Sequence, residues 1–220
     1  MKLVHPYYFH EIDFENEEPH TLIIERASFF RQIISELMYE AETGIGDYVL
    51  SQNYEVLDFA KYCSVIVDPF SLDYQNKQIK NGLQKQAVEL LSVESELPDI
   101  IHRINQLGLR IANQFSPPVA IKQDIGISDI TTILDFRIDI SDLSFAEQLL
   151  EYCKISRDLA GVKMFITIHL KEYLDPEEYQ QIIEMFCNEK LLLLMLESRQ
   201  HPLIDDPTNT IIVDNDYCII

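Results

Sequence analysis

The chain has 220 residues and a mass of 25.7 kDa, room for one large domain or for a core carrying an insertion. Its 47% apolar share excludes a disordered chain, and the longest apolar run, residues 191–196, is far too short to span a bilayer. The formal net charge of −20 should repel nucleic acid on average.

The average hides a partition. Residues 1–73 carry a net −10 and residues 123–220 a net −12, while residues 74–122 carry +2. The six cations of that middle stretch are Lys77, Lys80, Lys85, Arg103, Arg110 and Lys122. Such an imbalance is most often a solvated helix face. The first ten residues hold one lysine and no signal-peptide core, so an unexported, cytoplasmic protein is expected. Cys63, Cys153, Cys187 and Cys218 lack paired spacing, which argues against a disulfide framework or a zinc knuckle.

In chain order, residues 3–9 and 21–24 read as short strands on either side of an acidic turn region at 11–19. Residues 27–41 change to helical spacing, with Phe30, Ile33, Ile34, Leu37, Met38 and Ala41 on one face, and Gly44 and Gly46 end the helix. Residues 48–50 and 64–67 are strand candidates, the second ending in the turn pair Asp68-Pro69. Residues 76–91 and 97–115 predict two helices joined by a short break, hence an antiparallel hairpin. Their stripes are Ile79, Leu83, Ala87, Leu90, and Leu97, Ile101, Ile104, Leu107, Ile111, Phe115. Such narrow stripes suit a protruding pair. Ser116-Pro117-Pro118 closes the excursion.

The last hundred residues carry the clearest fold signal. Ser144 and Glu147 make a capping box for a helix to about residue 160. Residues 162–168 form an apolar strand candidate. Asp175-Pro176-Glu177-Glu178 opens a helix to about residue 188, and residues 191–196 form a second apolar strand. Strand, helix and strand make a βαβ crossover, so the sheet is parallel and covered on both faces. Residues 210–213 and 217–220 predict a closing hairpin turning at Asp214-Asn215-Asp216.

The chemistry of nucleotide hydrolysis is missing. Neither G-x-x-x-x-G-K-[ST] nor G-x-G-x-x-G occurs, so clustered backbone N–H groups cannot cradle a triphosphate. Asp68 ends an apolar strand where a magnesium-binding acid would stand, but an aspartate before Pro69 is more often a turn residue. His169 ends a core strand, a position that is catalytic in some α/β folds, yet strand-end histidines more often cap or pack. No nucleophile elbow or H-E-x-x-H accompanies it. Asp124, Asp129, Asp135, Asp139 and Asp142 fall within nineteen residues. Oxygen clusters of this kind can hold calcium, though a spaced acid run is usually a solvated surface.

The arrangement resembles the small, ring-forming CRISPR-associated adaptation protein of type II-A systems. Three segments carry the likeness. Val65-Ile66-Val67-Asp68-Pro69-Phe70-Ser71-Leu72-Asp73 is similar to that family's strand and apolar-Asp turn. Leu194-Met195-Leu196-Glu197-Ser198-Arg199 is similar to its penultimate strand, and Ile212-Val213-Asp214-Asn215-Asp216-Tyr217 to its C-terminal acidic-Tyr hairpin.

The resemblance implies a mainly parallel α/β head like a P-loop-type fold without the phosphate loop, at 1–73 and 116–220, and a protruding helical hairpin leg at 74–115. It also implies a non-enzymatic homotetrameric ring whose positively lined hole takes double-stranded DNA during spacer acquisition. Its partners would be the CRISPR integrase proteins and the effector nuclease, with no membrane involved. Lys77, Lys80, Lys85, Arg103, Arg110 and Lys122 would then supply phosphate contacts. Family members bind calcium near the head–leg junction. Here two acids, Asp124 and Asp129, replace a denser run and are the ligand candidates by position. Two alternatives stand beside this expectation: a protein-assembly scaffold with a degenerate nucleotide fold that never touches DNA, and a cryptic enzyme using Asp68 and His169.

Overall fold

In the computed structural model, which describes residues 1–6, 9–16, 18–122, 124–201 and 208–220, the chain divides into two compact units. One combines Met1–Tyr74 with Ile140–Ile220, and the other is Gln75–Asp139. The elements of the first unit are β1 (Lys2–His5), β2 (Phe9–Asp13), β3 (His20–Ile24), α1 (Ala27–Thr43), β4 (Val49–Gln52), β5 (Glu55–Leu57), α2 (Phe59–Tyr62) and β6 (Cys63–Ile66). The second unit carries α3 (Lys77–Ser92), α4 (Leu97–Ala112) and α5 (Ile127–Leu134). The chain then returns to the first unit with α6 (Phe145–Ala160), β7 (Met164–Ile168), a 3₁₀ turn at Leu170–Tyr173, α7 (Pro176–Asn188), β8 (Leu192–Glu197) and β9 (Asn209–Val213).

The first unit is an α/β fold built on a five-stranded sheet in the order β6-β7-β8-β3-β9, parallel throughout. The apolar runs read as strands are buried along their whole length, as a sheet covered on both faces requires. Alternation then sorts the side chains. Leu22, Ile24, Met164, Ile166, Ile168, Leu194 and Leu196 meet Phe30, Ile33 and Leu37 of α1. Phe165, Leu193 and Met195 face the other way, onto Leu149 and Cys153 of α6 and Tyr179, Ile182 and Phe186 of α7. The Ser144–Glu147 capping box forms as expected.

A four-stranded antiparallel sheet, β2-β1-β4-β5, adds Leu3, Ile12 and Leu50 to the α1-side core. The expected strand at 3–9 is instead two strands pairing antiparallel, so part of the region read as a turn is β2. Tyr7, Tyr8 and Glu17 of those readings lie outside the described residues. β5 and α2, of three and four residues, were not among the elements read from the sequence. The C-terminal hairpin is present as Val213 bridging Ile219, and β9 also pairs in parallel with β3.

In the second unit, Asn76 caps α3, its side-chain oxygen accepting the N–H groups of Gln78 and Ile79 at 3.0 Å each. Ile79 and Ala87 are buried as their stripe predicts, but Leu90, Leu107, Ile111 and Phe115 are exposed. The sequence reading ends the insertion at residue 115. The compact unit runs on to Asp139, because α5 packs on α3 through a Gln84–Thr131 side-chain hydrogen bond. Among the described residues, no helix is long and apolar enough to cross a membrane.

Candidate nucleic-acid interface

All six candidate cations belong to the second unit and all are exposed. Three stand on α3. At 100° per residue, Lys85 falls opposite the stripe of Ile79, Leu83 and Ala87, Lys77 to one side of it, and Lys80 at its edge beside Ala87, yet all three lysines are exposed. Lys85 stands 4.0 Å from Glu89, an exposed pair of little energetic worth. On α4, Arg103 and Arg110 are seven residues apart and therefore on one line of the helix. Among the described residues Lys77, Lys80, Arg103 and Arg110 hold no ion pair, and Lys85 holds only that one.

Lys122 is different. Its Nζ donates to Asp129 Oδ1 at 2.5 Å, while Asp129 Oδ2 accepts the Gly126 N–H at 2.8 Å and caps α5. The Lys122 ammonium first, and the Gly126 N–H second, hold the Asp129 carboxyl below the usual aspartate range. One expected DNA contact and one expected calcium ligand thus neutralise each other.

That pairing also bears on calcium, a hard cation that takes six to eight oxygens. Both Asp129 oxygens are already engaged by donors. Asp124 is exposed, and among the described residues no group of three or more His, Cys, Asp or Glu side chains gathers to hold a metal ion. Asp124 and Asp129 do not by themselves fit a calcium cage.

The unit boundary changes the charge account too. Adding residues 123–139 brings in four aspartates and Arg137, so the compact unit carries a net −1. The positive charge is a property of two helices and not of the whole unit. Arg137, inside an acidic stretch, gave no sequence signal. It joins Lys80, Gln75, Gln84, Thr132 and Asp135 around a cavity of about 440 Å³, with Asp135 pairing its guanidinium.

The crevice where an α/β fold would take a nucleotide is built otherwise. Only Glu25 and Arg26 separate β3 from α1, too few for a Gly-rich phosphate loop. The Glu25 N–H is spent on the Val213 carbonyl at 3.0 Å. The C-terminal turn closes over the start of α1. Tyr217 stacks edge-on against Phe29, its centroid 5.1 Å away, and lies under the Arg26 guanidinium at 4.9 Å.

Asp68 serves its turn, its carboxylate accepting the Phe70 N–H at 2.9 Å. Ser71 first and that N–H second hold its carboxyl low. His169 follows β7 at φ 56° and packs on Phe30 at 4.7 Å. Burial depresses its pKa, so it is neutral at pH 7. Sequence reasoning missed its surroundings: fully buried Glu197, His201 at 3.5 Å from that carboxylate, and buried Lys171, whose Nζ reaches Thr21 Oγ1 at 2.9 Å. An acid ending an otherwise apolar strand was the available signal.

The fold and its surface define a class: an α/β protein with a parallel sheet, no phosphate loop, and a helical unit bearing exposed cations. The chain matches the model of the CRISPR-associated protein (Cas_Csn2) family over residues 39–217 and belongs to that family. No curated protein matches it. Among solved structures, an ATP-binding cassette of an ABC transporter in its ADP conformation aligns with 12% identity and a TM-score of 0.42, covering 96% of this chain and 85% of that one.

Proposed function

We propose that this chain is a non-enzymatic, sequence-independent binder of double-stranded DNA that works as a homotetrameric ring, accessory to spacer acquisition in CRISPR adaptive immunity. The integrase proteins and the effector nuclease of the same system are its partners. The observation that carries the reading is the placement of Lys77, Lys80, Lys85, Arg103 and Arg110, all exposed on α3 and α4 of a chain that is otherwise strongly acidic. Family membership supports the CRISPR role. Closed symmetry would multiply these cations around one channel. The exposed Leu107, Leu109, Ile111 and Phe115 supply apolar surface for contact between copies. The short β3–α1 connection, closed by Tyr217, supports a role without nucleotide turnover.

The test is a mobility shift on linear duplex across a salt series. Binding should weaken steeply with salt, the logarithmic slope being about −0.9 per phosphate neutralised, and should not discriminate sequence. Lys80→Glu with Lys85→Glu should abolish binding and leave the melting temperature unchanged. Retained affinity in that double variant defeats the proposal. The net charge of −20 favours a second reading, a scaffold that contacts only proteins. Absence of any duplex binding at low salt would select it.

A further inference from the structure

The sequence Asp68-Pro69-Phe70 builds a tight turn beyond β6, with the Asp68 carboxylate accepting the Phe70 N–H. The turn leaves the Phe70 side chain 65% exposed. Exposure alone would be unremarkable, but this ring has two aromatic neighbours from other elements. It stacks on Phe145, the first residue of α6, with centroids 4.9 Å apart and planes at 29°. It meets Tyr173 edge-on at 5.0 Å and 82°. Phe145 is half-buried on the α6–α7 core, and Tyr173 is 47% exposed. The result is an aromatic surface fixed at its base by the core. It stands beyond the carboxyl ends of β6 and β7, the edge of a parallel sheet where ligands bind in α/β folds.

Its border is acidic. Asp68 is bonded to the backbone of Phe70 itself. Glu147 is bonded to Ser144, the residue before Phe145. Hydrogen bonds hold both carboxyls below their usual ranges, from Ser71 and Phe70 for Asp68 and from Ser144 for Glu147. Both are therefore charged well below neutral pH. Aromatic faces are themselves negative, and cations over them gain attraction.

We propose that Phe70, Phe145 and Tyr173, bordered by Asp68 and Glu147, form a docking surface for a basic segment of a partner protein that presents arginine or lysine beside an aliphatic side chain. Charge complementarity selects this occupant. Duplex DNA, itself anionic, is repelled by the border. The aromatic residues belong to the first unit and the α3 and α4 cations to the second, so this inference does not depend on the DNA-binding reading.

The experiment is calorimetric titration of the full chain with an acetylated Arg-Leu-Arg-Leu-Arg amide, using Glu-Leu-Glu-Leu-Glu as the charge-reversed control. The basic peptide should bind and the acidic one should not. Phe70→Ala and Tyr173→Ala should each weaken binding at least fivefold. Asp68→Asn with Glu147→Gln, which keep the turn and the cap, should flatten the salt dependence. DNA affinity should stay unchanged in all variants. Affinity for the basic peptide within twofold of the parent in both aromatic variants would show attraction to the general acidic surface and overturn the proposal. So would equal binding of the acidic peptide, or self-association of the parent that Phe70→Ala abolishes. If Phe70→Ala melts early, Tyr173→Ala decides.

Discussion

Lys122 and Asp129 form an ion pair across the start of α5, with Nζ and Oδ1 2.5 Å apart. The pair ties a cation that would contact DNA to an acid that would ligate calcium. It removes one positive charge from the candidate interface and leaves Asp129 as a helix cap.

Asp129→Asn should therefore tighten duplex binding a fewfold. The amide still accepts the Gly126 N–H, while Lys122 is released toward phosphate. The salt slope should steepen by about 0.9. The pH dependence has a definite sign. The Asp129 carboxyl is held low by Lys122 and Gly126, so the pair persists above the ordinary aspartate range and is lost as pH falls through the lower folded value. Parent and variant should differ at pH 7 and converge only below the ordinary range. Filter-binding titrations at several pH values check this. Calcium in the millimolar range should leave the parent's affinity within twofold, and a tenfold tightening would show a cage built from other oxygens.

Gly46 is where side-chain volume cannot enter. A Cβ there would lie 1.8 Å from Glu40 Oε2, and that oxygen accepts the Tyr48 N–H at 3.0 Å. Gly46→Ala should destabilise the first unit by about 1–3 kcal/mol, read by urea denaturation.

Glu40 is itself buried. Burial first raises its carboxyl pKa, the Tyr48 N–H opposes this, and Asp47 adds to the rise. A raised folded value means the contribution is largest at low pH and is lost as pH rises from the ordinary glutamate range through the folded value. The stability of the parent relative to Glu40→Gln should fall across that window. A difference that grows with pH would contradict the assignment.

Glu197 accepts the Lys171 backbone N–H at 3.0 Å with no exposure to solvent. Glu197→Ala leaves that donor without its acceptor and should cost about 1–3 kcal/mol. DNA affinity of the folded fraction should not change. Thermal melts beside mobility shifts separate the two effects.

The exposed apolar residues of α4 bear on assembly. Leu107→Asp with Ile111→Asp should shift the sedimentation profile toward smaller species and weaken duplex binding more steeply at low protein concentration. A parent that is a monomer at micromolar concentration would count against the ring.

Most of the parallel sheet was legible because its strands are buried on both faces. Runs such as Leu192–Glu197 and Met164–Ile168 have no polar side to show, and the caps at Ser144 and Asp175 mark the helices that precede each of them. The antiparallel sheet was legible only in part: the readings at 3–9 and 48–50 fall on β1 and β4, while β2 and β5 were missed. Its strands have three to five residues, too few for a period to declare itself, and their pairing depends on partners up to 49 positions away, as for Lys2 and Ser51.

From residue types alone came the acidic excess, the one cation-rich stretch, the missing phosphate loop and the continuous apolar runs that make a covered parallel sheet. These depend on composition and on neighbours within a turn or two. Which cations stay free was decided by the fold, because Lys122 meets Asp129 only when α5 is folded and its first turn needs a cap. The same holds for Glu197, His201 and Lys171, and for Phe70 with Phe145 and Tyr173. Residues far apart in sequence meet there because a parallel sheet brings the ends of its strands to one edge.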